Sequence, residues 1–502
     1  MPDEAPGSGR SPGGPIAGRQ PRPSLLAKGA RGFFWTGGAQ ILDQTLHIGI
    51  RVVLARLLLP ADFGLLAMAT VFVAITTVVT DLGLGNALVQ RSEVGERHRS
   101  TLFWFTFAVS LALMLLLLAG APLVGRFFHE PRVVPVLRVL AASLVLAAPE
   151  GTYASLLLRE MDFKSLGLRQ VVGTAVAGVV GLAAAMAGLG VWALVLYALA
   201  QAAARSALLL WRSSWRPRLV WSSSALRDLW SFGRWVAGSR LVNYANRNAD
   251  NVLVGRFLGA RELGFYSFSY QAVLLPLLYV ARPITSVSFP SFAQLQNDRE
   301  RCARAYLRTL EVTVLVAFPL AALGAVAAPA AIPLVFGAEW GPAAPVFVLL
   351  CGVAALHSFM NLASALFDGL GLPRIGFRWM LYVVLPLNLV AFAVGLRWAA
   401  AGVAAGLLVA AAVQVPIQME LLARLASIPR SGLGGLLLRG LLLWGAMAGG
   451  WTLASLAVDP GSGYLALGGA VACALAVTGA FSFVVFRDAW GSVLEGARSL
   501  RS

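Results

Sequence analysis

The chain has 502 residues, 58% of them hydrophobic and 13% charged, whereas an average soluble domain carries roughly 25% charged residues. This composition excludes a soluble globular protein. A formal net charge of +17 comes from 40 Lys+Arg against 23 Asp+Glu, nearly all of it arginine, and these arginines fall between long apolar runs. There they orient helices and meet lipid phosphates rather than nucleic acid.

In chain order, residues 1–24 repeat Pro, Gly, Ser and Arg without apolar periodicity, which reads as a disordered tail and not as a signal peptide. Fourteen segments follow that are long enough to cross ~30 Å of hydrocarbon at ~1.5 Å per residue. They lie at 33–55, 63–89, 101–124, 133–157, 170–188, 191–211, 235–255, 264–289, 309–328, 345–367, 379–395, 400–421, 440–455 and 464–486. Arginine and lysine alternate between the connecting loops. With the N-terminus inside, 28 of the 40 basic residues fall in cytoplasmic segments and 6 in outer loops, the asymmetry expected when both termini are cytoplasmic. No connecting loop has room for a soluble catalytic domain.

An internal repeat appears at an offset of 200: Trp35/Trp235, Gly38/Gly238, Val52/Val252, Arg56/Arg256, Leu58/Leu258 and Gly64/Gly264. The expected organisation is therefore an all-α integral membrane protein with two pseudo-symmetric six-helix lobes around a central cavity, plus a C-terminal helix pair. Its divisions are a basic cytoplasmic tail at 1–32, an N-lobe at 33–211, a cytoplasmic linker at 212–230, a C-lobe at 231–424, and the last two spans with the cytoplasmic C-terminus at 425–502. An even helix number per lobe relates the two by an axis along the membrane normal.

The first span of each lobe carries a polar stripe. Gln40, Asp43, Gln44, His47 and Arg51 recur at three- and four-residue spacing in one, and Arg240, Asn243, Arg247, Asp250 and Asn251 in the other. An ionisable residue at mid-helix costs about 2.5–3.5 kcal/mol on insertion scales, so such stripes face water or one another. Together they suggest one wet cavity lined by these residues and by Arg282. For individual residues two readings stand. Arg51 is near enough to its helix end to snorkel, and His47, one turn after Asp43, suits a proton-carrying pair or a structurally satisfied histidine. Arg247 is deeper, and either lines the cavity or pairs with Asp250. Arg138, Glu150 and Arg205 are further buried charges, whereas His357 and Asp368 have no partner visible in sequence.

Nucleotide and metalloprotease motifs are missing: there is no GxxxxGK[ST] or HExxH. Cys302, Cys351 and Cys473 stand far apart, which indicates neither a disulfide framework nor a zinc site. Neither a cofactor nor an enzymatic activity is expected.

The passages RVVLARLLLPADFGLLAMA and DLGLGNALVQR resemble the opening of the polysaccharide-export flippases of the MOP (multidrug/oligosaccharidyl-lipid/polysaccharide) exporter superfamily. LREMDFKSLGLRQ, GLGVWALVLYALAQAAARSALL, WRPRL, NYANRNADNVLVGRFLGARELGFYSFSY, RPITSVSFPSFAQLQND and LVFGAEWGPAAPVF are similar to its Wzx-like, WzxC-type colanic-acid-exporter branch. The resemblance covers about 25–425. It implies a V-shaped pair of six-helix bundles in a bacterial cytoplasmic membrane, moving undecaprenyl-diphosphate-linked oligosaccharide to the outer leaflet by alternating access. It also implies a place beside the polymerase and glycosyltransferases of a polysaccharide pathway. Arginine suits a diphosphate by its fixed charge and bidentate fork. Two alternatives fit less well. A MATE-like ion-coupled exporter of cationic drugs is disfavoured by a polycationic cavity, and a polysaccharide polymerase by an outer loop, 329–344, without Arg or His.

Overall fold

The computed structural model describes residues 25–486 apart from 82–84, 86–87 and 89–94, and describes the backbone alone at 25–34, 36, 78–79, 81, 224–243, 245–247, 274–283 and 285–287. The tail 1–24, most of DLGLGNALVQR and residues 487–502 lie outside the described residues, as do the side chains of Arg240, Asn243, Arg247 and Arg282.

All regular structure among the described residues is helical. The helices are α1 (Leu25–Leu57), α2 (Pro60–Asp81), α3 (Glu96–Phe128), α4 (Val133–Arg159), α5 (Phe163–Met186), α6 (Val191–Arg212) and α7 (Ser223–Gln294). There follow α8 (Arg299–Phe336), α9 (Ala343–Gly369), α10, α11 (Ala399–Ala426), α12 (Arg430–Ala457) and α13 (Tyr464–Val485). Helix α10 has three pieces: Pro373–Trp379, a π-helical turn Met380–Val384, and Leu385–Gly395. Among the described residues, 10 helical stretches are long and apolar enough to cross a membrane. Helices α1 and α7, which carry the polar stripes, are not among them.

Local chemistry sets the turns. Pro60 opens α2 at a position where no backbone N–H is needed, and the Asp62 carboxylate accepts the Leu59 N–H at 3.1 Å. At Gly259 the backbone takes φ 84 and ψ −176, a conformation that needs a residue without Cβ. Helix α7 doubles back there, which brings Asp250 before the glycine into a hydrogen bond with Tyr266 after it. The loop expected at 256–263 thus shrinks to a single reversing residue.

Within the stretch expected to be a linker, 212–230, α7 begins at Ser223. What precedes it is strapped to the start of α3. The Arg218 N–H donates to Ser100 Oγ at 3.1 Å and the Ser222 N–H to Thr101 Oγ1 at 3.0 Å, while Trp104 Nε1 returns a bond to the Arg218 carbonyl at 2.9 Å. Trp215 Nε1 also reaches Glu96 Oε2 at 3.0 Å.

Two large cores hold the helices. One gathers Phe292, Tyr306, Phe318, Phe359 and Phe367 with Leu422 and Leu433, joining the end of α7 to α8, α9, α11 and α12. The other brings Leu65, Met68, Phe128, Leu137 and Leu140 together with Val254, Leu263, Tyr266, Val346 and Val403. It therefore joins helices from both repeats. Lipid is as apolar as these side chains, so close backbone approach, rather than water exclusion, drives such contacts. Helix α5 lies on α1 this way, with Gly167 beside Ala39 and Gly178 beside Ile50.

Candidate functional site

The α1 stripe meets α5 and α6 in one hydrogen-bond chain. Tyr197 Oη lies 2.8 Å from His47 Nδ1, His47 Nε2 lies 3.2 Å from Thr174 Oγ1, and Thr174 Oγ1 donates to Asp43 Oδ1 at 2.5 Å. The threonine hydroxyl is given to the carboxylate, and both imidazole nitrogens have polar partners, Tyr197 at Nδ1 and Thr174 with Gln201 at Nε2. Gln201 Nε2 adds a bond to Thr174 Oγ1 at 3.3 Å.

Around this chain the balance is cationic. Arg169 pairs with Glu150 at 2.9 Å, the two side chains being 14% and 26% exposed. Arg205 lies across Gly173, where a Cβ would meet its Cγ at 2.5 Å, and its buried Nε has no hydrogen-bond partner. Arg51 is partly buried one turn beyond His47, and Gln40 is exposed. Three guanidiniums thus face two carboxylates, Asp43 and Glu150.

On α7 the structure places Asp250 in the core, 4% exposed. It accepts from Tyr266 Oη at 3.0 Å and from the Asn251 N–H at 2.7 Å. The Asn251 amide oxygen is buried without a partner. Tyr244 Oη donates to the Val71 carbonyl at 2.9 Å, tying α7 to α2.

At the reversed end of α7 the two repeats exchange contacts. A Cβ on Gly64 would run into the Ala260 carbonyl, and a Cβ on Gly264 into that of Pro60. Each contact is the other shifted by 200 positions. Arg56 Nη2 crosses to the Leu334 carbonyl at 3.2 Å, while its repeat mate Arg256 crosses back to His129 Nδ1. Trp340, 1% exposed, sits between Phe63 and Phe268 and donates from Nε1 to the Ala55 carbonyl at 2.7 Å. In the turn between α3 and α4, outside the spans, the Arg132 guanidinium holds the Glu130 carboxyl below its ordinary pKa.

The structure therefore brings Asp43 and His47 together with Thr174, Tyr197 and Gln201, which sequence reading did not single out. Tyr197, Gln201 and the flagged Arg205 stand four residues apart, a spacing that marks one helix face. Asp250 is set apart against Tyr266. Trp340 and the paired glycines carried no sequence signal of contact.

The profile of a family described as polysaccharide biosynthesis protein matches residues 53–345. The teichuronic acid biosynthesis protein TuaB of Bacillus subtilis (strain 168) is 29% identical over 378 residues, 74% of this chain and 77% of that protein. The lipopolysaccharide biosynthesis protein WzxC of Escherichia coli (strain K12) is 27% identical over 366 residues, 72% of this chain and 73% of that protein. Among solved structures, the lipid II flippase MurJ in an inward closed conformation superposes with a TM-score of 0.69 at 13% identity, covering 90% of this chain and 99% of that one.

Proposed function

The chain belongs to the polysaccharide biosynthesis protein family, and from that premise we propose that it turns an undecaprenyl-diphosphate-linked oligosaccharide from the inner to the outer leaflet of a bacterial cytoplasmic membrane by alternating access. The observation that carries this reading is the pair of contacts exchanged between Gly64 and Ala260 and between Gly264 and Pro60. Equivalent segments of two repeats press together at one end, as two lobes do when a passage between them is shut on that side.

The topology has fourteen spans and both termini in the cytoplasm. To the 10 apolar stretches it adds α1 and the two arms of α7, and it divides α10 from α11 at Ala399, where φ is 55. The shut end then faces outward and the site opens inward. Arg51, Arg240, Arg247 and Arg282, with Gln40, Asn243 and Asn251, offer guanidiniums and amides to a diphosphate that leaves the headgroup region. Asp43, His47 and Asp250 hold the local charge balance. Transport ends when the outer seal opens and the inner side closes.

Two measurements test this. Deleting the protein should make undecaprenyl-linked oligosaccharide accumulate on the cytoplasmic leaflet; failure of the intermediate to be synthesised would identify an enzyme instead. Reporter fusions at Glu339 and Arg374 should report opposite sides, outside and inside. The same side for both would refute the span count.

A further inference from the structure

The two repeats differ where the fifth helix of each begins. In the first, α5 is covered: a Cβ on Gly167 would meet the Ala39 Cβ at 2.6 Å, Lys164 stands 5.4 Å over the Trp35 ring, and Arg169 is neutralised by Glu150. The corresponding motif on α10 is Gly376-Phe377-Arg378, matching Gly167-Leu168-Arg169. Here a Cβ on Gly376 would meet nothing within 4 Å. Among the described residues no carboxylate forms an ion pair with Arg374 or Arg378. Along this face lies an open surface groove of about 370 Å³ lined by Pro373, Arg374, Phe377, Arg378 and Tyr382.

Its surroundings give it a direction. Helix α10 meets α7 through its far third, Leu385–Gly395, while Pro373–Trp379 packs on α9. The π-helical turn Met380–Val384 separates the two pieces, a feature frequent at functional sites. Beyond it Leu389, Val390 and Val394 are exposed as a lipid-facing surface, and Phe377 and Tyr382 are 58% and 70% exposed. The first arm of α7 carries Arg234, Arg240 and Arg247 in sequence.

We propose that the groove is the entry site for the transported lipid, where Arg374 and Arg378 take its diphosphate at the inner leaflet before it passes to the α7 stripe. This rests on the flippase reading above. Two guanidiniums one turn apart match the charges of a diphosphate, whereas the phosphodiester of an ordinary phospholipid offers one.

The test uses the full chain in phosphatidylcholine nanodiscs, with a photoreactive benzophenone side chain in place of Phe377, and radiolabelled undecaprenyl diphosphate as probe. A second preparation carries the benzophenone at Gln44, on the α1 stripe. Crosslinking is expected at both positions. At position 377 it should fall roughly tenfold to thirtyfold when Arg374→Gln and Arg378→Gln are combined, at about 1 kcal/mol for each lost arginine. Retained crosslinking in that double variant overturns the entry site. So does suppression of the position-377 signal by phosphatidylglycerol as effective as that by unlabelled undecaprenyl diphosphate, which would mark an ordinary anionic-lipid site. Crosslinking at 44 without any at 377 refutes the entry site alone, and none at either position refutes the flippase reading with it.

Discussion

Gly64→Ala combined with Gly264→Ala should abolish export while leaving the protein in the membrane at normal abundance. A methyl group at either position meets a backbone carbonyl, of Ala260 or Pro60, and a carbonyl in a helix end cannot rotate aside as a side chain can. Overpacking of this kind costs about 1–3 kcal/mol. The cost falls only on the state in which the two repeats touch, so it shifts the equilibrium toward an open outer end by roughly 5-fold to 150-fold. Ala55→Cys reads that shift directly, because Ala55 is 0% exposed beneath Trp340. With both glycines in place, a membrane-impermeant maleimide added from outside should leave this thiol unlabelled; with both replaced, it should label it. Full export and continued protection in the double variant would show that this end does not open during transport. Trp340→Phe provides a milder version, since it keeps the ring packing and removes only the bond to the Ala55 carbonyl.

The second large effect concerns Arg247 and Asp250. Asp250 accepts from Tyr266 Oη and from the Asn251 N–H, so its buried carboxylate has donors that do not depend on Arg247. Arg247→Ala should therefore leave abundance intact and reduce export at least thirtyfold, given about 2–5 kcal/mol for truncating one partner of a buried hydrogen-bonded charge pair. Arg247→Lys should keep part of the activity, since the charge remains and the planar fork is lost. Tyr266→Phe should do the reverse and lower abundance, because it takes a donor from a carboxylate with no access to water. Quantifying membrane-inserted protein beside exported polysaccharide separates the two. Recovery of export when Arg247→Ala is combined with Asp250→Ala would make the pair structural and exclude a substrate role for Arg247.

The membrane class, the repeat and the family were legible in the chain, and so were the ten stretches apolar enough to cross a membrane, because composition and local pattern carry them. Hydropathy reports how a single segment partitions into lipid, and the 200-residue offset is visible wherever Trp35, Arg56 and Gly64 recur as Trp235, Arg256 and Gly264. Periodicity also placed Asp43 and His47 on one face of α1. It did not identify what that face meets. Thr174, Tyr197 and Gln201 come from helices more than a hundred residues away, and their pairing follows from how α5 and α6 pack on α1.

The same reason separates the remaining cases. Asp250, read from sequence as lining the cavity or pairing with Arg247, accepts from Tyr266 because Gly259 reverses the helix and folds one arm on the other. Gly64 and Gly264 stand out in sequence as a matched pair. Only the packed structure sets each against the backbone of the opposite repeat. Arg169 and Arg378 occupy similar motifs, yet Glu150 from α4 neutralises the first and the second borders an open groove. Sequence determines which side chains a helix carries and at what depth; tertiary structure decides which of its faces are covered, because that depends on the relative rotation and separation of helices distant in the chain.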